Sequence, residues 1–196
     1  GDGQARWVRP LRNVLAIFDG RALQGGIHGL PFRKTTLGHR VHASRKITVN
    51  NFAEYKKRLR PRVILDWAER RARIEKRAAE LAAKEGLEIK PDPALLDELA
   101  GLVEWPEVLI GAMDEDFMTL PPEVLTTAMR HHQKYLSLQT PAGELAPRFV
   151  MVADLKPRDR GRHIVAGNER VLRARLADAR FFWDTDRKQS LAARAP

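Results

Sequence analysis

The sequence predicts an α+β fold: a mixed or antiparallel sheet with packed helices, in a single domain over 1–196 that carries a helical insertion at about 51–103. Three observations carry that expectation. Short apolar runs bounded by Gly, Pro and Asp recur along the chain, as strands do. Other stretches place apolar residues every three or four positions, the spacing of an amphipathic helix. The two kinds are interspersed without the regular beat of a doubly wound parallel sheet. At 196 residues and 43% hydrophobic, the chain is long enough to bury a real core.

The elements follow in order. Residues 14–18 and 22–30 read as two strands joined at Asp19-Gly20, because an Asp-Gly pair accepts the positive φ angles of a tight hairpin turn. Residues 31–49 read as a loop rich in basic, His and Thr residues, ending in a short strand at Ile47-Thr48-Val49. Phe52, Tyr55 and Leu59 mark a helix that Pro61 stops. A longer helix over 63–85 keeps Ile64, Trp67, Ile74, Ala78 and Leu81 near one face, with Gly86 as its end. Asp92-Pro93 has the form of an N-cap and first helical position, opening a helix through Leu95, Leu96, Leu99 and Val103. A strand is expected at 108–113, a helix from Pro121-Pro122, a strand at 149–153 and a final helix from Asn168 to about Trp183.

Composition excludes several chemistries. With no cysteine there is no disulfide, thiolate nucleophile or iron–sulfur site. No run of eighteen apolar residues occurs and the first residues lack a signal-peptide pattern, so a cytoplasmic protein that avoids membranes is expected. The net charge of +10 points to a polyanionic partner. By segment, 1–50 carries +7, 51–90 carries +5, 91–128 carries −9 with no basic residue, and 129–196 carries +7. This partition predicts one continuous basic face built from 1–50 and 129–196, with the acidic segment lying apart.

No metal site is expected from the six histidines. His131 and His132 are adjacent and would point about 100° apart on a helix, and no His-Glu-x-x-His occurs. Gly25-Gly26-Ile27-His28-Gly29 lacks the Lys-Ser/Thr ending of a P-loop, and there is no Gly-x-Ser-x-Gly elbow, so no catalytic residue is assigned. Three basic clusters remain. Arg33, Lys34, His39 and Arg40 sit among hydroxyl residues in the 33–42 stretch, a composition suited to phosphate and ribose contacts, or to a solvated loop. His131, His132, Gln133 and Lys134 combine rings, an amide and a cation, as readers of splayed bases do, or complement a helix C-terminus. Asn168, Arg170, Arg173 and Arg175 place an N-cap and cations on one helix, where the arginines either meet phosphates or pair with nearby carboxylates. The second and third clusters are expected to converge in space.

The 130–135 run followed by Arg148-Phe149-Val150, the 167–178 segment with Phe181-Phe182-Trp183, the 35–42 stretch and Leu102-Val103-Glu104-Trp105-Pro106 together resemble the β subunit of bacterial tetrameric glycyl-tRNA synthetase. The similarity runs from Val8-Arg9-Pro10 to Asp186-Arg187-Lys188. The resemblance implies an internal piece of a longer subunit, upstream of metal-phosphohydrolase-like and anticodon-binding parts, similar to the B3/B4-type tRNA-binding domain of phenylalanyl-tRNA synthetase β chains. It implies glycine tRNA, the α subunit and the rest of the β subunit as partners. It implies no cofactor for this segment, with ATP and Mg used by the whole enzyme through the α subunit. Two other roles are open: an editing deacylase using His131, His132 or Glu169, and a docking module presenting the acidic 91–128 stretch. Glycine argues against editing, since larger amino acids are easily excluded by size.

Overall fold

The structure is a computed structural model and describes residues 11–188 and Ala193; Val8-Arg9-Pro10 lies outside them. The chain divides into two compact units, Gly1–Asp66 and Trp67–Pro196. The helical stretch 51–103 is shared between the two.

The first unit is built of short strands and one helix. β1 (Val14–Leu15) runs parallel to β5 (Leu30–Arg33), which also pairs antiparallel with β4 (Gly26–Ile27). β2 (Ile17–Phe18) and β3 (Arg21–Ala22) form a hairpin at the expected turn, with Asp19 at φ 46° and Gly20 at φ 72°, but the two strands expected at 14–18 and 22–30 are broken into shorter ones: 14–18 splits into β1 and β2, and 22–30 divides among β3, β4 and the start of β5. The stretch expected as a loop at 31–49 instead contains β5 and β6 (Thr35–Leu37), and β6 pairs antiparallel with β7 (Lys46–Thr48). These strands are too short for alternation to reveal them; only the cross-strand pairing of Thr36 with Ile47 and Thr35 with Thr48 defines them. α1 (Phe52–Leu59) begins at Asn51, whose side-chain oxygen accepts from the Glu54 N–H at 2.9 Å. Its core is small: Ile47, Val49, Leu59 and Val63, with Leu15, Ile17 and Tyr55 packed against them.

The second unit is a two-sided sheet. α2 (Trp67–Lys84) and β8 (Glu88–Ile89) precede α3 (Pro93–Leu102) and β9 (Pro106–Ala112). A 3₁₀ turn at Glu115–Thr119 leads to α4 (Pro122–Thr127), which widens into a π-helical stretch, Ala128–Gln133. β10 (Leu136–Gln139), β11 (Leu145–Asp154) and α5 (Arg162–Asp186) complete it. The strands lie in the order β8-β10-β11-β9, all antiparallel, and β9 pairs with β11 over seven residues.

Alternation along β9 and β11 sends side chains to opposite layers. Val108 and Val150 join Ile74, Ala78, Leu95 and Leu99 of α2 and α3. Leu109, Phe149 and Met151 join Leu125, Met129, Leu172 and Leu176 of α4, the π-helical stretch and α5. Gly111 admits the Phe149 ring, since a Cβ there would meet Phe149 Cζ at 2.8 Å. The sequence reading finds α3 through the Asp92 cap, whose carboxylate accepts from Leu95 N at 2.9 Å, and the end of α2 at Gly86 with φ 69°. It starts α2 four residues early, because buried Val63 and Ile64 continue the apolar pattern in irregular backbone ahead of the helix. Among the described residues no helix is long and apolar enough to cross a membrane.

The largest departure concerns α5, which starts six residues before Asn168. Asp159 caps it, accepting from Gly161 N at 3.0 Å and His163 N at 2.9 Å, after Arg160 and Gly161 both take positive φ. Asn168 therefore lies inside the helix, and the N-terminal dipole expected there belongs at Arg162. The β-branched and Gly residues of 162–167 weaken the helical signal in sequence. Gly161 has φ 86°, and a Cβ would stand 2.6 Å from Leu109 Cδ2. Gly161→Ala is expected to lower stability by roughly 1–3 kcal/mol through strain and overpacking, measured by urea denaturation of the full-length protein. An unchanged midpoint would mean that this turn does not lie against β9.

Candidate nucleic-acid interface

The two units differ sharply in charge. Residues 1–66 carry 14 Lys or Arg against 4 Asp or Glu, whereas 67–196 carry 21 against 21. The whole net charge of +10 thus resides in the first unit.

In the second unit several cations are tied to carboxylates, most of them on other elements. Arg130 Nε donates to Asp92 Oδ2 at 2.5 Å, Lys134 pairs with Glu98 at 2.8 Å, and Arg71 binds Asp97 at 2.7 Å and Glu75 at 2.8 Å. Arg173 donates through Nε and Nη2 to Asp114 at 2.7 and 2.9 Å, a two-pronged contact, and Arg180 reaches the Asp116 carbonyl. Burial pushes the Asp92 carboxyl up, but the Arg130 guanidinium and the Leu95 N–H outweigh it and hold it below its ordinary value. The Arg173 guanidinium does the same for Asp114. These pairs correct the expected partition: 91–128 is not set apart from the cations of 129–196 but interleaved with them. The reason is topological, since α3 and the 115–119 turn flank the elements that carry Arg130, Lys134 and Arg173.

The expected convergence of the two second-unit clusters is present. Tyr135, buried against Phe149 with ring centroids 4.6 Å apart, donates its hydroxyl to Asn168 Oδ1 at 2.5 Å, and Asn168 Nδ2 donates to the Ile164 carbonyl at 2.7 Å. His132 and Arg175 line one groove of ≈ 540 Å³, shared with Glu123, Thr127, Asp178 and Phe182. Asn168 is thus a structural link. Lys134, in left-handed backbone at φ 58°, ends the π-helical stretch. His131, His132, Arg170 and Arg175 are exposed, and Gln133 is half-buried. Glu169, weighed for editing, accepts from the Ala112 N–H at 2.9 Å and so secures the edge of β9. No group of three His, Asp or Glu placed to hold a metal occurs among the described residues.

In the first unit, Arg33 and Arg40 are exposed, and Arg33 lines a groove of ≈ 250 Å³ with Arg12, Asn13, Thr35, Thr36 and Lys46. Lys34 donates to the Gly20 carbonyl at 2.9 Å and braces the hairpin turn. His39 is 1% exposed, its Nδ1 accepting from Val41 N at 3.2 Å and its ring stacked 4.0 Å from His42, so it shapes the loop from inside. Sequence reasoning passed over Arg45, Lys46, Lys57 and Arg60, which are exposed and have no carboxylate partner among the described residues. Counting charge by folding unit rather than by segment would have singled them out.

The buried Tyr135 gives a pH test. Burial pushes its phenol up to about 12. A raised acid group holds its proton more tightly in the folded chain, so its contribution is full below about pH 10 and is lost as pH rises toward about 12. Tyr135→Phe is expected to flatten that alkaline decline and to cost roughly 1–2 kcal/mol at neutral pH, because Asn168 Oδ1 loses its donor. An identical alkaline slope in the variant would contradict the assignment.

The family profile described as "Glycyl-tRNA synthetase beta subunit" matches residues 1–196. The chain is 47% identical to the glycine–tRNA ligase beta subunit of Rhodospirillum centenum, over 98% of this chain and 31% of that protein. It is 45% identical to that of Paracoccus denitrificans, over 100% of this chain and 29% of that protein. With that of Rickettsia canadensis it shares 43% identity over 97% of this chain and 29% of the relative. The chain spans about three-tenths of the length of these relatives. A whole-length profile match and relatives at this identity, on an α+β scaffold with one strongly basic unit, place the chain in the glycyl-tRNA synthetase β-subunit family.

Proposed function

We propose that this chain is a tRNA-binding, non-catalytic part of a cytoplasmic glycine–tRNA ligase β subunit, similar to a B3/B4-type domain. The whole enzyme attaches glycine to tRNA together with its α subunit, which supplies the ATP- and Mg-dependent activation. One observation carries the reading: the entire net charge of +10 lies on residues 1–66. Exposed Arg33, Arg40, Arg45, Lys46, Lys57 and Arg60 lack internal counter-charges among the described residues, as a phosphate-binding surface requires. In the second unit Lys134 and Arg173 already have carboxylates, and a phosphate would have to displace Glu98 or Asp114 to reach them. Their role is to join elements.

Binding of glycine tRNA by the full-length protein is expected to fall steeply with salt. Replacing Arg33, Arg40 and Lys46 together by Gln should reduce the log–log salt slope by roughly 2 to 3, at roughly 0.7–0.9 per phosphate contact, with the melting temperature unchanged. Replacing Lys134 and Arg173 by Gln should lower the melting temperature and leave the slope intact. A slope that responds to the second pair and not to the first set would overturn the reading.

A further inference from the structure

One groove of the first unit has the chemistry of a site for unpaired nucleotides. It measures ≈ 790 Å³ and is lined by Phe52 and Tyr55 on α1, Asn50 and Asn51 at its N-terminus, and Asp19 and Gly20 in the hairpin turn, over a floor that includes Ile17 and Val49. Phe52 opens an amphipathic pattern and would ordinarily be covered, yet it is 70% exposed. Its ring lies nearly parallel to that of Tyr55, at 15° and 6.3 Å between centroids, the i and i+3 positions sharing one face of the helix. Lys56 Nζ sits 4.7 Å from the Phe52 centroid. Phe18, next to Asp19 in the hairpin, is 75% exposed.

The polar groups around these rings are held in fixed positions and retain hydrogen-bonding capacity. Asn51 Oδ1 is committed to the Glu54 N–H, and Asn50 Nδ2 to the Glu54 carboxylate at 3.2 and 3.3 Å. No hydrogen bond among the described residues occupies Asn51 Nδ2 or Asn50 Oδ1. One donor and one acceptor beside an exposed ring can read the edge of a base stacked on it, and the Asp19 carboxylate can accept from an exocyclic amino group.

We infer that the Phe52–Tyr55 groove binds unpaired nucleotides of an RNA by stacking a base on the Phe52 ring, with Asn50, Asn51 and Asp19 at the base edge and α1 cations along the backbone. The inference rests on the tRNA-binding reading and adds a location and a ligand chemistry to it. Charge decides between RNA and an apolar protein segment as occupant. Residues 52–62 hold Lys56, Lys57, Arg58, Arg60 and Arg62 against the single acid Glu54, and Lys56 lies over the Phe52 ring, so the segment that carries both rings is strongly basic. Stacking surfaces beside a basic track are what single-stranded nucleic acid requires, because every base has a π-face and every linkage a charge.

The test uses the full-length protein, a single-stranded oligonucleotide and a blunt RNA duplex of equal phosphate count. Phe52→Ala is expected to weaken single-strand binding about tenfold or more, Phe52→Trp to retain it, and both to leave duplex affinity and melting temperature unchanged. Because the side chain is mostly exposed, the variants are expected to fold. Unchanged single-strand affinity in Phe52→Ala, with salt-sensitive tRNA binding intact, would overturn this inference alone. Equal losses on single strand and duplex would do the same. Loss of assembly with another subunit, with RNA affinity unaltered, would identify the groove as a protein contact and also overturn it. Absence of any RNA binding by the unsubstituted protein would overturn the functional reading as well.

Discussion

Burial of both faces of the β9–β11 pair dictates where charge can sit in the second unit. Val108 and Val150 point into the layer made by α2 and α3, while Leu109, Phe149 and Met151 point into the layer made by α4, the π-helical stretch and α5. Neither face can take an ion, so each charged side chain is driven to the rims between layers and loops. At those rims cations and carboxylates from different elements meet. Arg71 ties α2 to α3, Arg130 and Lys134 tie the π-helical stretch and its cap to α3, and Arg173 ties α5 to Asp114. Each exposed pair contributes modestly. Their more important effect is electrostatic: a unit with 21 charges of each sign presents little net field to a polyanion.

The first unit is under the opposite constraint. Its core is small, its strands are two to four residues long, and 14 cations face 4 acids. Self-repulsion of that kind works against a compact state. On the proposed reading, the missing counter-charge comes from RNA phosphates, and binding stabilises the unit by mass action. The exposed Phe52 and Phe18 fit the same account, since rings that would otherwise cost hydration become stacking surfaces.

Much of this was legible in the sequence where the signal is local. Asp92-Pro93, Gly86, Pro61 and Asp19-Gly20 act within three or four residues, and each marks the boundary or turn expected of it. The family resemblance, carried by residues spread along the whole chain, agrees with the profile match. What was not legible depends on partners far away in sequence. Lys134 and Arg173 look like available cations until Glu98 and Asp114 are placed beside them, and Asn168 looks like a cap until the Tyr135 hydroxyl occupies it. The strands β5, β6, β8 and β10 are defined by cross-strand pairing rather than by a two-residue period. His39 carries no sequence mark that it turns inward.

The central claim is that RNA meets the unit holding the net charge and not the unit whose cations are matched in number by carboxylates. Photo-crosslinking of glycine tRNA to the full-length protein, followed by mass spectrometric mapping of the crosslinked peptides, tests it most directly. The account predicts that crosslinks within this segment concentrate in 11–66, with α1 and the 33–46 stretch among them. Crosslinks confined to 130–135 and 168–175, with none in 11–66, would contradict it.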